Sequence, residues 1–173
     1  MTSKQPQSST EKKPVLLVFD LDYTLWPFWV DTHVTPPFKI GKNNGVIDSN
    51  GRKIYCYKDV PNLLKKLFEN GFQIGVASRT SEIQGANQLI ELFGWTKYIT
   101  YREIYPGKKT THFQKIHESS NVSYENMIFF DDENRNIEDV SKLGVQSILV
   151  RDGVTKTIVE KALQKFNVQW RLD

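Results

Sequence analysis

Val15-Leu16-Leu17-Val18-Phe19-Asp20-Leu21-Asp22-Tyr23-Thr24 decides the fold. A run of apolar residues breaks into two carboxylates one residue apart, followed by a hydroxyl residue. Val15 to Phe19 lack the alternation of a half-solvated strand. They predict a strand buried on both faces, as in a parallel sheet covered by helices. Ligands of such sheets bind beyond the carboxyl ends of the strands, so Asp20 and Asp22 fall where an open α/β domain does its chemistry. A buried carboxylate is costly unless paired or metal-bound, and two together imply a cation or a shared proton.

Downstream, the chain does not enter a helix directly. Trp26-Pro27-Phe28-Trp29 and Thr35-Pro36-Pro37-Phe38 form an aromatic, proline-broken connection that suits neither helix nor central strand. Val46-Ile47 and Lys53 to Tyr57, flanking Asn50-Gly51, predict a hairpin. The resulting insertion, about 27–57, is longer than most connections in compact domains and reads as a functional flap. Regular alternation follows. Val60, Leu63, Leu64, Leu67 and Phe68 have helical spacing, with Asp59 as candidate N-cap, Pro61 in the first turn and Gly71 as the stop. Phe72 to Ala77 predict the second core strand, ending at Ser78-Arg79-Thr80. Helices are expected through Ile83 to Phe93, through Phe113 and Ile116, through Ile137 to Leu143 with Asn134 as cap, and through Ile158 to Phe166. The third, fourth and fifth core strands are predicted at Tyr98 to Tyr101, Met127 to Phe130 and Ser147 to Val150. Five strands alternating with helices describe a single-domain, doubly wound α/β fold with a five-stranded parallel sheet and no large cap domain. Residues 1–13 read as a flexible polar tail and 14–173 as the folded domain.

Composition narrows the class. At 173 residues the chain suits one domain with a substantial core, and 39% hydrophobic with 25% charged residues suits a soluble protein. A net charge of +3 without a long basic run argues against nucleic acid. No apolar stretch approaches the ~20 residues of a membrane span, and the N-terminal tail lacks the apolar region of a signal peptide. One cysteine, Cys56, excludes an intramolecular disulfide and fits a reducing compartment, so a cytoplasmic monomer is expected.

Three predicted strand ends carry groups suited to phosphoryl chemistry: Asp20 and Asp22, Ser78 and Arg79, and Asp131 and Asp132. If the first and fourth core strands are neighbours where strand order reverses, their carboxylates converge. Oxygen ligands of this kind suit Mg²⁺, whereas no His or Cys cluster has the spacing for zinc. A carboxylate can attack phosphorus if its charge is screened and a partner protonates the leaving oxygen. Asp20 and Asp22 suit these two roles. Ser78 and backbone N–H groups after the first strand, that of Leu21 among them, suit the phosphoryl oxygens, and Lys108 or Lys109 suits charge neutralisation.

These elements, in this order, resemble the haloacid dehalogenase (HAD) superfamily of phosphotransferases. Phe19-Asp20-Leu21-Asp22-Tyr23-Thr24-Leu25-Trp26-Pro27, Ala77-Ser78-Arg79-Thr80-Ser81, Glu103-Ile104-Tyr105-Pro106-Gly107 and Phe129-Phe130-Asp131-Asp132-Glu133-Asn134-Arg135-Asn136 are similar to the eukaryotic magnesium-dependent phosphatase-1 family. The resemblance implies Asp20 as nucleophile and Mg²⁺ ligand. It implies Asp22 as general acid/base and as a ligand through its backbone carbonyl. Ser78 and Arg79 become the phosphate- and substrate-binding pair, and Lys109, within Lys109-Thr110-Thr111-His112-Phe113, the neutralising lysine. Asp131 completes the metal site, Asp132 supports it through water or by fixing its loop, and Trp29 touches substrate. The implied substrates are phosphotyrosine in proteins, or small phosphorylated metabolites such as sugar phosphates and glycated amines.

Blander readings stand beside these. Ser78 suits a helix cap, Arg79 a solvated charge, and at least two of Trp26, Phe28 and Trp29 suit core packing. His33, His112 and His117 read as structural or exposed, and Cys56 as a hairpin residue without an activated thiolate. A receiver-like phospho-accepting switch uses a similar set of groups, but it keeps its acceptor Asp on a later strand and has no counterpart of Asp22. A sugar-nucleotide transferase would leave Asp131-Asp132 without a use.

Overall fold

The computed structural model describes residues 15–166 and 168; the expected tail over 1–13 lies outside them. The chain runs β1 (Leu16–Phe19), β2 (Lys39–Ile40), β3 (Val46–Ile47), β4 (Lys53–Ile54), α1 (Val60–Glu69), β5 (Gln73–Ser78), α2 (Ile83–Leu92), β6 (Tyr101–Ile104), α3 (Lys109–Ser120), a 3₁₀ turn (Tyr124–Asn126), β7 (Met127–Asp131), α4 (Asn134–Ser141), β8 (Gln146–Leu149) and α5 (Lys156–Gln164). Five strands form a parallel sheet in the order β6-β5-β1-β7-β8. The order reverses between β1 and β7, which therefore lie side by side with Phe19 opposite Phe130.

Both faces of β1 are covered, as its unbroken apolar run requires. Leu17 and Phe19 pack with Leu63, Leu64 and Leu67 of α1, Leu89 and Ile90 of α2 and Leu163 of α5. Leu16 and Val18 point the other way, toward Phe113 and Ile116 of α3 and Val140 of α4. Helices thus cover the sheet on each side, and the polar strand ends emerge together at its carboxyl edge.

The insertion forms a separate antiparallel sheet, β2-β3-β4, and not a simple hairpin. Its organiser is Asp48, a buried carboxylate that accepts from the backbone N–H groups of Thr35 (3.1 Å), Asn50 (3.0 Å) and Arg52 (2.9 Å). Those bonds hold its pKa below the usual carboxylate range despite the opposing effect of burial. Gly51 makes the turn at φ +78°, a value that favours glycine. Phe38, Val46 and Ile54 anchor the flap in the main core. The loop after β8 closes on the chain leading out of the flap: a Cβ on Gly153 (φ +80°) would lie 2.4 Å from Cγ of Tyr57.

Four local expectations are corrected. The third core strand lies at Tyr101–Ile104, not Tyr98 to Tyr101, because the N–H groups of Tyr98 and Ile99 fold back onto the carbonyl of Trp95. β4 ends at Ile54 instead of Tyr57, since the Tyr57 N–H pairs with the Leu25 carbonyl. Asn134 is the first residue of α4 and not its cap, which is Glu133. Asp59 occupies the N-cap position of α1 without capping it, and its carboxylate instead accepts from the Lys156 N–H at 3.0 Å.

Candidate active site

Asp20 stands one residue past β1, its own N–H still bonded to the carbonyl of Phe130 at 2.9 Å. The sheet register therefore carries through to the carboxylate. Lys109 opens α3 and reaches under the sheet edge, its ammonium donating to Asp20 Oδ1 at 2.7 Å and to the carbonyl of Ala77. The same ammonium lies 3.0 Å from Asp131 Oδ2. Thr24 Oγ1 donates to Asp20 Oδ2 at 3.3 Å. Lys109 is only 1% exposed, whereas its neighbour Lys108 is solvent-exposed at the helix N-cap. Of the two lysines, the structure brings Lys109 to the strand ends.

Asp22 sits on a tight loop in which Tyr23 takes φ +56° and the Leu21 carbonyl accepts from the N–H groups of Thr24 and Leu25. Leu21 itself buries its side chain and lies between the two aspartates. Asp22 Oδ1 accepts from the Trp26 indole at 2.8 Å and from the Val30 N–H at 3.2 Å. Ser78 ends β5, and its hydroxyl accepts from the Thr80 N–H at 3.2 Å. The cap of α2 is Glu82, so Ser78 has no capping duty. Arg79 is half-buried and donates to Asn136 Oδ1 at 3.2 Å. Asn136 in turn donates to Asp131 Oδ2 at 3.0 Å, while Asp131 Oδ1 accepts from the Glu133 N–H at 2.8 Å.

These groups border a crevice of about 300 Å³ whose walls include Asp20, Asp22, Ser78, Arg79, Lys109 and Asp132. Trp29 stands at its rim, half exposed and stacked on His33 at 5.0 Å, whereas Trp26 and Phe28 are buried. Burial and the facing charge of Asp131 push the Asp20 carboxyl pKa well up, against the pull of Lys109. Burial raises Asp22 to about 6, opposed by its two hydrogen bonds. Burial and Asp131 likewise push Asp132 to about 6. Burial alone would lower the Lys109 ammonium, but Asp20 and Asp131 outweigh it and raise it.

The donor set fits a hard divalent cation. Asp20, Asp131 and Asp132 offer carboxylate oxygens within 4.8 Å of one another. Lys109 pairs with Asp20 and Asp131, and with Asp132 beside them the cluster carries an excess of about two negative charges when all three carboxylates are ionised. Oxygen-only ligands of this kind suit Mg²⁺, which takes one or two carboxylates and fills its octahedron with water and phosphate oxygens. The Asp22 side chain is outside this cluster.

The sequence reading assigns no role to Thr24 or Asn136, and reads His112 as structural or exposed. Thr24 and Asn136 stand inside quoted motifs, but only the folded geometry shows what they hold. His112 is fully buried, its Nε2 2.9 Å from the Ser78 carbonyl and 2.7 Å from that of Tyr105, its Nδ1 2.9 Å from that of Lys108. It braces the β5 end against the start of α3.

A profile described as Acid Phosphatase matches residues 12–169. The chain is 52% identical over 153 residues to Magnesium-dependent phosphatase 1 of Homo sapiens, covering 88% of this chain and 87% of that one. It is 46% identical over 143 residues to a HAD-like hydrolase superfamily protein of Schizosaccharomyces pombe, covering 76% of this chain and 83% of that one. Among solved structures, D,D-heptose 1,7-bisphosphate phosphatase from B. bronchiseptica, complexed with magnesium and phosphate, superposes with a TM-score of 0.61 over 85% of this chain and 86% of that one. At 11% identity that likeness concerns the fold alone.

Proposed function

The chain belongs to the acid phosphatase family, among the magnesium-dependent phosphatases of the HAD superfamily, and from that premise we propose that it hydrolyses phosphomonoesters through an aspartyl-phosphate on Asp20. The observation that carries this reading is the cluster in which the buried Lys109 bridges the buried Asp20 and Asp131, with the half-buried Asp132 offering a third carboxylate oxygen nearby. A permanent excess of buried negative charge is costly in a protein interior. A bound Mg²⁺ ion would offset it and leave the crevice able to admit an anionic phosphate.

Asp20 and Asp131 would hold the metal, with Asp132 in support and the Asp22 backbone carbonyl as a further ligand. When bound, Mg²⁺ screens the charge between the Asp20 carboxylate and the incoming phosphate. The chain's own residues do the rest. Ser78, Arg79 and the Leu21 N–H bind the phosphoryl oxygens and orient phosphorus toward Asp20, while the Lys109 ammonium offsets negative charge on both nucleophile and phosphate. An Asp20 oxygen bonds to phosphorus as the ester P–O bond breaks, and Asp22 gives its proton to the departing oxygen. Water then attacks phosphorus, returns a proton to Asp22 and frees the Asp20 carboxylate.

The flap is small and the crevice open, which suits phosphate groups on large molecules, phosphotyrosine in proteins included. Sugar phosphates and glycated amines fit the same opening, with Trp29 offering an apolar face at the rim. No helix among the described residues is long and apolar enough to cross a membrane. We read residues 14–173 as one catalytic domain of a cytoplasmic monomer. A receiver-like switch is the alternative, and the acid/base position of Asp22 favours turnover over storage of the phosphoryl group. Purified protein assayed against phosphopeptides and sugar phosphates, with and without Mg²⁺, tests the reading. Turnover in metal-free buffer, or a stable phospho-protein without turnover, would overturn it.

A further inference from the structure

The indole of Trp26 is fully buried, yet it is a side-chain donor to the Asp22 carboxylate. Its ring lies nearly parallel to those of Phe28 (centroids 5.6 Å apart, planes 5° from parallel) and Trp95 (6.3 Å, 13°), and Phe93 packs against Trp95 (4.8 Å, 22°) and, tilted by 35°, against Trp26 at 6.5 Å. Phe93 caps the C-terminus of α2, and the Trp95 N–H pairs with the Ile90 carbonyl, so the stack is fixed to a helix packed on the sheet. An indole N–H lies in the plane of its ring. A buried ring packed against parallel neighbours therefore aims its proton in one direction, and here that direction is Asp22 Oδ1. The backbone supports the same geometry: Tyr23 N–H pairs with the Trp26 carbonyl at 2.7 Å, and Asp22 and Trp26 form a bridge.

Both donors to Asp22, Trp26 and Val30, converge on the same oxygen. The lone pairs of Oδ1 are thereby engaged, and the other oxygen has no hydrogen-bond partner among the described residues. Asp22 borders the crevice. We infer that Trp26 is a positioning residue, whose N–H commits Oδ1 so that the transferable proton resides on Oδ2 and faces the leaving group. This rests on the acid/base role proposed above for Asp22.

A proton donor matters most when the departing oxygen is strongly basic and least when it leaves readily as an anion. That dependence separates positioning of Asp22 from a general packing role. Trp26→Phe keeps the stack and deletes the N–H. The measurement is kcat/KM for a series of aryl and alkyl phosphates of rising leaving-group pKa, with acetyl phosphate at the low end, all at saturating Mg²⁺. We expect a loss on the order of tenfold or more for basic leaving groups, shrinking to about twofold for acetyl phosphate. An equal loss across the series, or no loss, would overturn the inference. Should Trp26→Phe fail to fold, Phe28→Leu loosens the clamp from the side and carries the same expectation at smaller size. Asp22→Asn in the same series guards the premise. If its loss shows no leaving-group dependence, the acid/base reading has failed; if it does and Trp26→Phe does not, the clamp alone has failed.

Discussion

The ammonium of Lys109 meets the Asp20 carboxylate at 2.7 Å across 89 positions of sequence, in a place almost closed to solvent. Since it also lies 3.0 Å from Asp131, this one cation holds two strand ends together.

Lys109→Met should therefore do two kinds of damage. It removes the charge that faces Asp20, the proposed nucleophile, which should lower kcat by about 10²–10³-fold. It also leaves two buried carboxylates unpaired, at a cost of about 3–5 kcal/mol in metal-free buffer. Lys109→Arg should not restore activity, because a planar guanidinium does not fit a pocket closed around an ammonium. Steady-state kinetics and denaturant melts check both effects.

Metal dependence follows from the same charges. EDTA should abolish turnover and Mg²⁺ restore it, while Ca²⁺, with its larger and looser coordination, should substitute poorly. At a hundredfold excess over Kd, bound Mg²⁺ adds about 2.7 kcal/mol, which for a chain of this size is a rise of roughly 5–10 °C in Tm.

That rise should depend on pH. Burial places Asp22 and Asp132 at about 6, and pushes Asp20 well above its ordinary value. Between about pH 4 and 6 the native metal-free protein thus binds more protons than the unfolded chain, whose carboxyls ionise near 4. Its stability therefore falls as pH rises through that window. Metal binding needs the ionised forms. The Mg²⁺-induced shift in Tm should accordingly be large at pH 8 and small at pH 5, and scanning fluorimetry at both values reads the difference.

The two aspartates should separate cleanly. Asp20→Asn removes the proposed nucleophile and should leave essentially no turnover. Asp22→Asn keeps the fold and should cost ~10²–10⁴-fold in rate. Beryllium fluoride should be found on Asp20, and a fluoride adduct on any other residue would contradict the assignment.

Trp29 and Arg79 should affect different parts of the substrate. Trp29→Ala should raise KM for aryl phosphates and spare acetyl phosphate, since removing uniform binding leaves the chemical step intact. Arg79→Ala should affect both, as a phosphate contact would. Equal losses for Trp29→Ala on both substrates would mean that it supports the loop alone.

Much of this architecture was legible in the chain because the relevant physics is local. The apolar run ending at Asp20 needs no partner to identify it as a buried strand, and helices such as Val60–Glu69 are marked by period, proline and glycine. What was not legible depends on contacts distant in sequence. Tyr98-Ile99-Thr100 has strand composition, yet the carbonyl of Trp95 captures two of its N–H groups first. The flap's first strand, Lys39–Ile40, lies just past Pro36-Pro37 and reads as the end of a proline-broken connection. Asp48 and Asp59 look alike as acidic turn residues, but one organises the flap and the other braces α5. Lys108 and Lys109 differ only in which way the first turn of α3 points them.

Strand β1 pairs along its whole length with β5 on one side and β7 on the other. Freeing Asp20 from its position would require breaking hydrogen-bond ladders in the middle of the sheet, so no partial opening should loosen its carboxylate while sparing the rest. The amides of Val18 and Phe19 should accordingly exchange with solvent deuterium only through global unfolding. Heat inactivation should then coincide with the melting of the whole domain, with no cooler step at which the fold persists and the chemistry is lost.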